Sequence, residues 1–150
     1  IESAEEMKEH VTANLSDIDL FISTAAVADF KMKNVEPQKI KKDQSKNMNL
    51  SLEKNEDILK HVSDNNPDLK IVGFAADTEN MIDNARRKLS SKNLNLIVAN
   101  DVSDSSIGSD SNNNEVTLIT EKEELKIPKT SKEKVARKIV QFISKNILND

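Results

Sequence analysis

The chain has 150 residues, of which 36% are hydrophobic and 32% charged, a size suited to one globular domain around a single core. It contains no cysteine, which excludes a disulfide framework, a thiol nucleophile and any cysteine-based metal site, and fits a cytoplasmic protein. A net charge of −4, with four Phe and neither Trp nor Tyr, favours a sheet of Val, Ile and Leu covered by helices over an aromatic platform for nucleic acid.

The first residues predict a helix over 3–14, with Met7, Val11 and Leu15 at helical spacing and Ser3 with Glu6 as a capping box. Asp19 to Ala25 then reads as a short β-branched strand buried on both faces. The apolar stretch from Leu20 to Val27 is broken by Ser23 and Thr24 and is too short to cross a bilayer, and nothing at the N-terminus has signal-peptide order, so no membrane role is expected. Ile1 stands where a Met would begin a chain, and the opening helix reads as following a missing strand, so a fragment is expected.

From Lys31 to Lys46 there is little apolar periodicity, which predicts a loop, and Met48, Leu50 and Leu52 alternate as a half-exposed strand; together they read as a basic flap. Asn55 is expected to cap a helix with Glu56 and Asp57 in its first turn and Ile58, Leu59 and Val62 on its apolar face, ending before Asn65-Asn66-Pro67. Lys70 to Ala75 is the next core strand, and Thr78 is placed as the cap of a helix that turns Met81, Ile82, Ala85 and Leu89 inward. Asn95 to Asn100 returns as a strand into Asp101. A Ser-, Asp- and Asn-rich loop is expected from Val102 to Asn114, then a hairpin of Glu115 to Thr120 with Glu124 to Ile127. Thr130 and Glu133 read as a capping box for a last helix with Val135, Ile139, Phe142 and Ile143 inward. The alternation predicts an α/β, Rossmann-like three-layer sheet with helices on both faces, in one domain without a linker.

Ligands in such sheets settle at strand carboxyl ends, here Ser23-Thr24-Ala25, Phe74 and Asn100-Asp101. Small residues at Thr24 and Ala25 let a base or sugar approach the backbone, and Asp29 can accept hydrogen bonds from a ribose or an exocyclic amine; equally, the alanines can be tight packing and Asp29 a turn acid. Between residues 31 and 46 six Lys face Glu36 and Asp43, a local balance of +4, with Lys39, Lys41 and Lys42 clustered. Such a run suits a polyphosphate, and also suits a solvated surface loop. Lys88 and Lys92, four apart, share a helix face and can reach a phosphate together, or be ordinary surface lysines. Two glycines, Gly73 and Gly108, are too few for a Walker or dinucleotide phosphate loop. His10 and His61 have no companion ligands, so no transition-metal site is expected.

Five blocks in order, Ala25-Ala26-Val27-Ala28-Asp29, Lys39-Ile40-Lys41-Lys42, Asn55-Glu56-Asp57-Ile58-Leu59, Val72-Gly73-Phe74-Ala75-Ala76-Asp77-Thr78 and Ile97-Val98-Ala99-Asn100-Asp101-Val102, resemble the phosphopantothenoylcysteine synthetase family of coenzyme A biosynthesis. The resemblance covers residues 3–118. It implies a ligase that joins 4′-phosphopantothenate and cysteine through a CTP-derived acyl-cytidylate, releasing pyrophosphate and CMP. It implies Mg²⁺ as cofactor, with no ligand identified, and FMN only in a decarboxylase part that these residues do not include.

By the same resemblance Ser23, Thr24, Ala25 and Asp29 line the CTP site, Lys39 contacts the triphosphate, and Lys41 and Lys42 belong to a closing lid. Glu56, Asp57, Ile58 and Leu59 form a backbone-contacting turn at the base, where Glu56 stands in place of the usual Pro; Phe74 lies against the nucleotide, and Lys88 and Lys92 bind it. The family's glycine-rich segment, with an Asn tied to acyl-cytidylate formation, has no counterpart here, so catalytic residues stay unassigned and the chain alone is expected to be inactive. A homodimer is implied, with the Met48 to Leu52 strand as candidate contact. Two rival readings are a non-catalytic nucleotide-binding or dimerisation module and an electrostatic nucleic-acid binder, which the acidic remainder of the chain disfavours.

Overall fold

The computed structural model describes residues 1–41, 47–102 and 111–148. In chain order its elements are α1 (Ala4–Ala13), β1 (Leu20–Ser23), β2 (Phe30–Met32), β3 (Leu52–Lys54), α2 (Ile58–Asn65), β4 (Lys70–Asp77), α3 (Met81–Ser91), β5 (Leu96–Asp101), β6 (Asn113–Ile119), β7 (Glu124–Ser131) and α4 (Lys132–Asn146). They fall into two compact units, one of Ile1–Leu15 with Ala25–Ile58, the other of Ser16–Thr24 with Leu59–Asp150.

The second unit is a five-stranded mixed sheet of order β1-β4-β5-β6-β7. β1, β4 and β5 are parallel, and β6 and β7 are added antiparallel. Leu96 to Ala99 of the central strand β5 are all buried, the near-continuous apolar run that a strand covered on both faces requires. On one face Val72, Leu96, Val98, Val116, Leu118 and Ile127 pack with Val135, Ile139, Phe142, Ile143 and Ile147 of α4 and its C-cap. The alternate residues Ile71, Ile97 and Ile119 are buried on the opposite side, where α3 turns Ala85 and Leu89 inward. Gly73 belongs to that side: a Cβ there would lie 2.9 Å from Leu59 Cδ2 and 3.0 Å from Leu94 Cδ1, so its missing side chain lets α2 close on the sheet. This is an α/β, Rossmann-like sheet with helices on both faces.

Several local expectations are corrected. β1 is an edge strand rather than one buried on both faces; it has a single neighbour, β4, and Ile22 is 38% exposed. Asn55 does not cap α2, which starts three residues later at Ile58. Asn80, in the left-handed region at φ 50°, precedes α3 in place of Thr78 and makes no side-chain capping bond. The cap of α4 is Ser131 and not Thr130: the helix starts at Lys132, and the Ser131 hydroxyl accepts from the Lys134 amide. That ladder starts at Asn113, inside the segment expected to be loop, and residues 103–110 of that expectation lie outside the described residues.

In the first unit the Ser3–Glu6 capping box of α1 is present. Glu6 accepts from the amides of Glu2 at 2.7 Å and Ser3 at 3.3 Å, and these bonds hold its carboxyl below the usual range. β2 and β3 pair antiparallel, Phe30 opposite Lys54 and Met32 opposite Leu52. The flap therefore contains a strand where a loop over 31–46 was expected, while Met48 and Leu50 precede the strand they were expected to form and are 60% and 58% exposed.

Candidate functional site

In the second unit the three parallel strands end at a common edge with Ser23, Asp77 and Asp101, the side of an open α/β sheet where ligands bind. Ser23 is in register with Gly73, so Phe74 lies one residue beyond the end of β1, and it is 40% exposed in a strand otherwise largely buried. Leu59 packs over Gly73, on the face of the sheet opposite to Phe74. Ser23, Leu59 and Phe74, three of the residues singled out from sequence, thus lie near the ends of β1 and β4, with Leu59 and Phe74 on opposite faces of the sheet; Thr24 follows and is exposed.

Lys88 is found in a setting the sequence reading missed. Its ammonium lies 3.0 Å from Asp77 Oδ2, and the other oxygen, Oδ1, accepts from Asn84 Nδ2 at 3.3 Å. Side chains on a helix lean toward its N-terminus, so Lys88 reaches back along α3 toward the end of β4. Lys92 is the C-cap of α3, its amide bonded to Lys88 O at 3.1 Å. One helical turn places it about 5–6 Å farther from that edge, so the two lysines share a face but not a reach. The missed signal was an acid closing a strand, followed at seven and eleven residues by Asn and Lys on the next helix.

In the first unit Asn55 donates from its amide to Asp29 O and from Nδ2 to Ala28 O, both at 2.8 Å, which fixes the start of the Asn55–Leu59 block against the residues after Ala25. Glu56 accepts from Lys8 at 2.8 Å, and its carboxylate holds the Lys8 ammonium above the usual lysine value. Lys8 also faces Glu5 at 3.7 Å, while Lys31 meets Glu5 at 3.3 Å and Glu53 at 3.6 Å. Glu5, Lys8, Lys31 and Glu56 line a pocket with Ala4 and Asn55. Lys31, counted among the six lysines of that segment, is therefore a paired strand residue.

Asp29, Asp57 and Ala25 are exposed, and Ile58 is buried at 6%. Lys39 and Lys41 are exposed on irregular backbone, and Lys42 lies outside the described residues. The candidate residues are thus shared between the two units: Ala25, Asp29, Lys39, Lys41, Glu56, Asp57 and Ile58 in the first, Ser23, Thr24, Leu59, Phe74, Lys88 and Lys92 in the second. Among the described residues no group of three or more His, Cys, Asp or Glu is placed to hold a metal ion, and no helix is long and apolar enough to cross a membrane.

A parallel core with an antiparallel hairpin, helices on both faces and a braced lysine at the strand ends defines a Rossmann-like α/β protein with a polar crevice edge. The chain belongs to the DNA/pantothenate metabolism flavoprotein C-terminal domain family, whose model matches residues 1–147. It is 42% identical over 147 residues to the coenzyme A biosynthesis bifunctional protein CoaBC of Vibrio vulnificus, covering 95% of this chain and 36% of the relative. It is 40% identical over 145 residues to CoaBC of Bacillus subtilis, covering 96% and 36%. With CoaBC of Escherichia coli K12 it shares 38% over 146 residues, covering 94% and 36%. The chain therefore spans about a third of the length of these curated relatives. Among solved structures, the C-terminal domain of CoaBC superposes with a TM-score of 0.79 at 34% identity, covering 100% of this chain and 65% of that one. The DNA/pantothenate metabolism flavoprotein from Streptococcus pneumoniae shares the fold, with a TM-score of 0.78 at 19% identity over 96% of this chain and 70% of that one.

Proposed function

We propose that this chain is the nucleotide-gripping part of a CTP-dependent ligase of coenzyme A biosynthesis, which joins 4′-phosphopantothenate to cysteine through an acyl-cytidylate. The observation that carries this reading is the similarity to CoaBC along nearly the whole chain, 42% over 147 residues in one relative. Such chemistry asks the protein mainly to bring two anionic substrates together and to offset charge as it develops on the α-phosphate. Lys39, Lys88 and Lys92 supply that charge in this reading, with Lys41 and Lys42 on the lid. The backbone amides at the first turn of α2 lack helical partners and serve as donors to the base. Ser23, Thr24, Ala25, Asp29 and Phe74 line the nucleoside. Mg²⁺ would be held mainly by the triphosphate oxygens, so that one or two protein carboxylates at most would be needed, and it would offset charge on those phosphates.

The functional unit is a homodimer in this reading. Support comes from the apolar side chains exposed on the first unit, Phe30 at 58%, Met48 at 60%, Leu50 at 58% and Leu52 at 56%.

Calorimetric titration of the chain with CTP, ATP and GTP in the presence of Mg²⁺ tests the nucleotide reading. CTP is expected to bind best, with Lys39→Ala and Lys88→Ala each weakening it by roughly tenfold, the scale of one charge-assisted contact. Absence of binding by all three nucleotides, or unaltered affinity in both variants, overturns it.

A further inference from the structure

We propose that Asp77 is a positioning residue: its carboxylate, braced by Asn84, presets the Lys88 ammonium at the carboxyl edge of the sheet for the phosphates of the nucleotide. The inference rests on the reading of Lys88 as a phosphate contact and assigns to Asp77, Asn84 and Arg87 a role in making it.

The geometry is that of a hydrogen-bonded chain laid along one side of α3. Arg87 donates to Asn84 Oδ1. Asn84 donates from Nδ2 to Asp77 Oδ1 at 3.3 Å and to Glu79 O at 3.1 Å, and its amide is tied to Asn80 O at 2.9 Å. Asp77 Oδ2 accepts from Lys88 at 3.0 Å, and the backbone carbonyl of Asp77 accepts from the Val102 amide at 3.2 Å, so its main chain is fixed by β5 as well. Both carboxylate oxygens and the backbone of Asp77 are therefore held, and its side chain is only 21% exposed.

A lysine stem has several rotatable bonds, and ordering it costs rotamer freedom. A lysine already held at the rim has met much of that cost before a ligand arrives. An ammonium carries three donors, and among the described residues Asp77 is its only partner. The remaining donors stay available, and at 41% side-chain exposure Lys88 is open to a ligand from solvent.

An opposing effect is repulsion between the Asp77 carboxylate and a polyphosphate. It is the weaker one here, because both oxygens of the Asp77 carboxylate are engaged, one by Asn84 and the other by the Lys88 ammonium, which offsets its charge. Asp77 thus acts as a brace for the lysine rather than as a competitor for it.

The test is a double-mutant cycle read by calorimetry with CTP and Mg²⁺. Asp77→Ala is expected to weaken binding about fivefold and Lys88→Ala about tenfold, with the double variant within about twofold of Lys88→Ala, because once the lysine is gone nothing remains to be positioned. Asp77→Glu, which restores the charge, is expected to recover most of the loss, a rescue that a merely structural role does not produce. Should Asp77→Ala fail to fold, Asn84→Ala decides, with an expected loss of about twofold that disappears in the Lys88→Ala background. If CTP binds and Lys88→Ala weakens it, but Asp77→Ala leaves affinity unchanged, tightens it or adds its full loss to that of Lys88→Ala, the brace is wrong and the nucleotide reading stands. If CTP binds and Lys88→Ala has no effect, the lysine assignment and the brace fall together. If no nucleotide binds the wild-type chain, the proposed function falls and takes the brace with it.

Discussion

Gly73 shows how a single residue sets the spacing of a layer. Its missing Cβ leaves room for Leu59 and Leu94, whose methyl groups would lie 2.9 and 3.0 Å from an added side chain. Both are ends of flexible side chains, so Gly73→Ala is accommodated by repacking at the usual cost of overfilling a core, about 1–3 kcal/mol. Chemical denaturation is expected to show that loss, and a variant as stable as the wild type would mean that α2 has slack against the sheet. Glu115 makes a second residue-scale case. Its bond to Lys126 at 2.7 Å, helped by the Lys129 amide, holds its carboxyl below the ordinary value of 4.5. A depressed carboxyl contributes stability that is present above the unfolded value and is lost as pH falls through the folded one. Glu115→Gln is therefore expected to be less stable than wild type at neutral pH, with the gap closing below about pH 4.5. The gap is a fraction of 1 kcal/mol, because Lys126 is 64% exposed and the pair is screened. Thermal melts across pH 3 to 7 read this directly, and a gap that widens in acid contradicts the assignment.

At the scale of elements, α4 was legible from sequence in its face but not in its start. Val135, Ile139, Phe142 and Ile143 recur at helical spacing and all are buried as read. The Thr130–Glu133 pair fits a capping box equally well by pattern, but the helix starts at Lys132 and so brings the Ser131 hydroxyl, one residue on, to the Lys134 amide. Ser131→Ala is accordingly expected to cost about 1 kcal/mol, and Ser131→Asp to preserve the cap; equal melting temperatures for Ala and Asp at this position would remove Ser131 from that role. The same limit explains Asn55 and Thr78. Each looks like a cap beside an apolar period, but Asn55 satisfies Ala28 and Asp29, far away in sequence, and such partners leave no local trace. β1 was misjudged for a related reason: an apolar run does not distinguish a central strand from an edge one, which depends on whether a second neighbour exists. In the candidate site, residue types and strand ends were readable, since small and polar residues after β-branched runs mark a crevice. The brace on Lys88 was not, because it spans a strand end and two turns of the following helix.

Across the whole molecule the burial is uneven. Of the buried residues among those described, only Ile58 belongs to the first unit, and no residue of α1 is buried. The second unit holds the whole α4-face cluster and the buried strand β5. Local opening free energies follow buried apolar contact and range from near zero up to the global value. Amides of β4, β5 and β6 are therefore expected to exchange most slowly with deuterium, and those of α1, β2 and β3 much faster. The exposed Phe30, Met48, Leu50 and Leu52 add a concentration dependence if the proposed dimer forms through this face, because a partner that binds only the folded form stabilises what it covers by mass action. Raising the protein concentration is then expected to slow exchange in β2 and β3, and to slow β5 only insofar as it exchanges through global unfolding. Slowing of β5 with none in β2 and β3 would place the contact elsewhere. No change over a range in which sedimentation shows dimer forming would exclude this face as the interface.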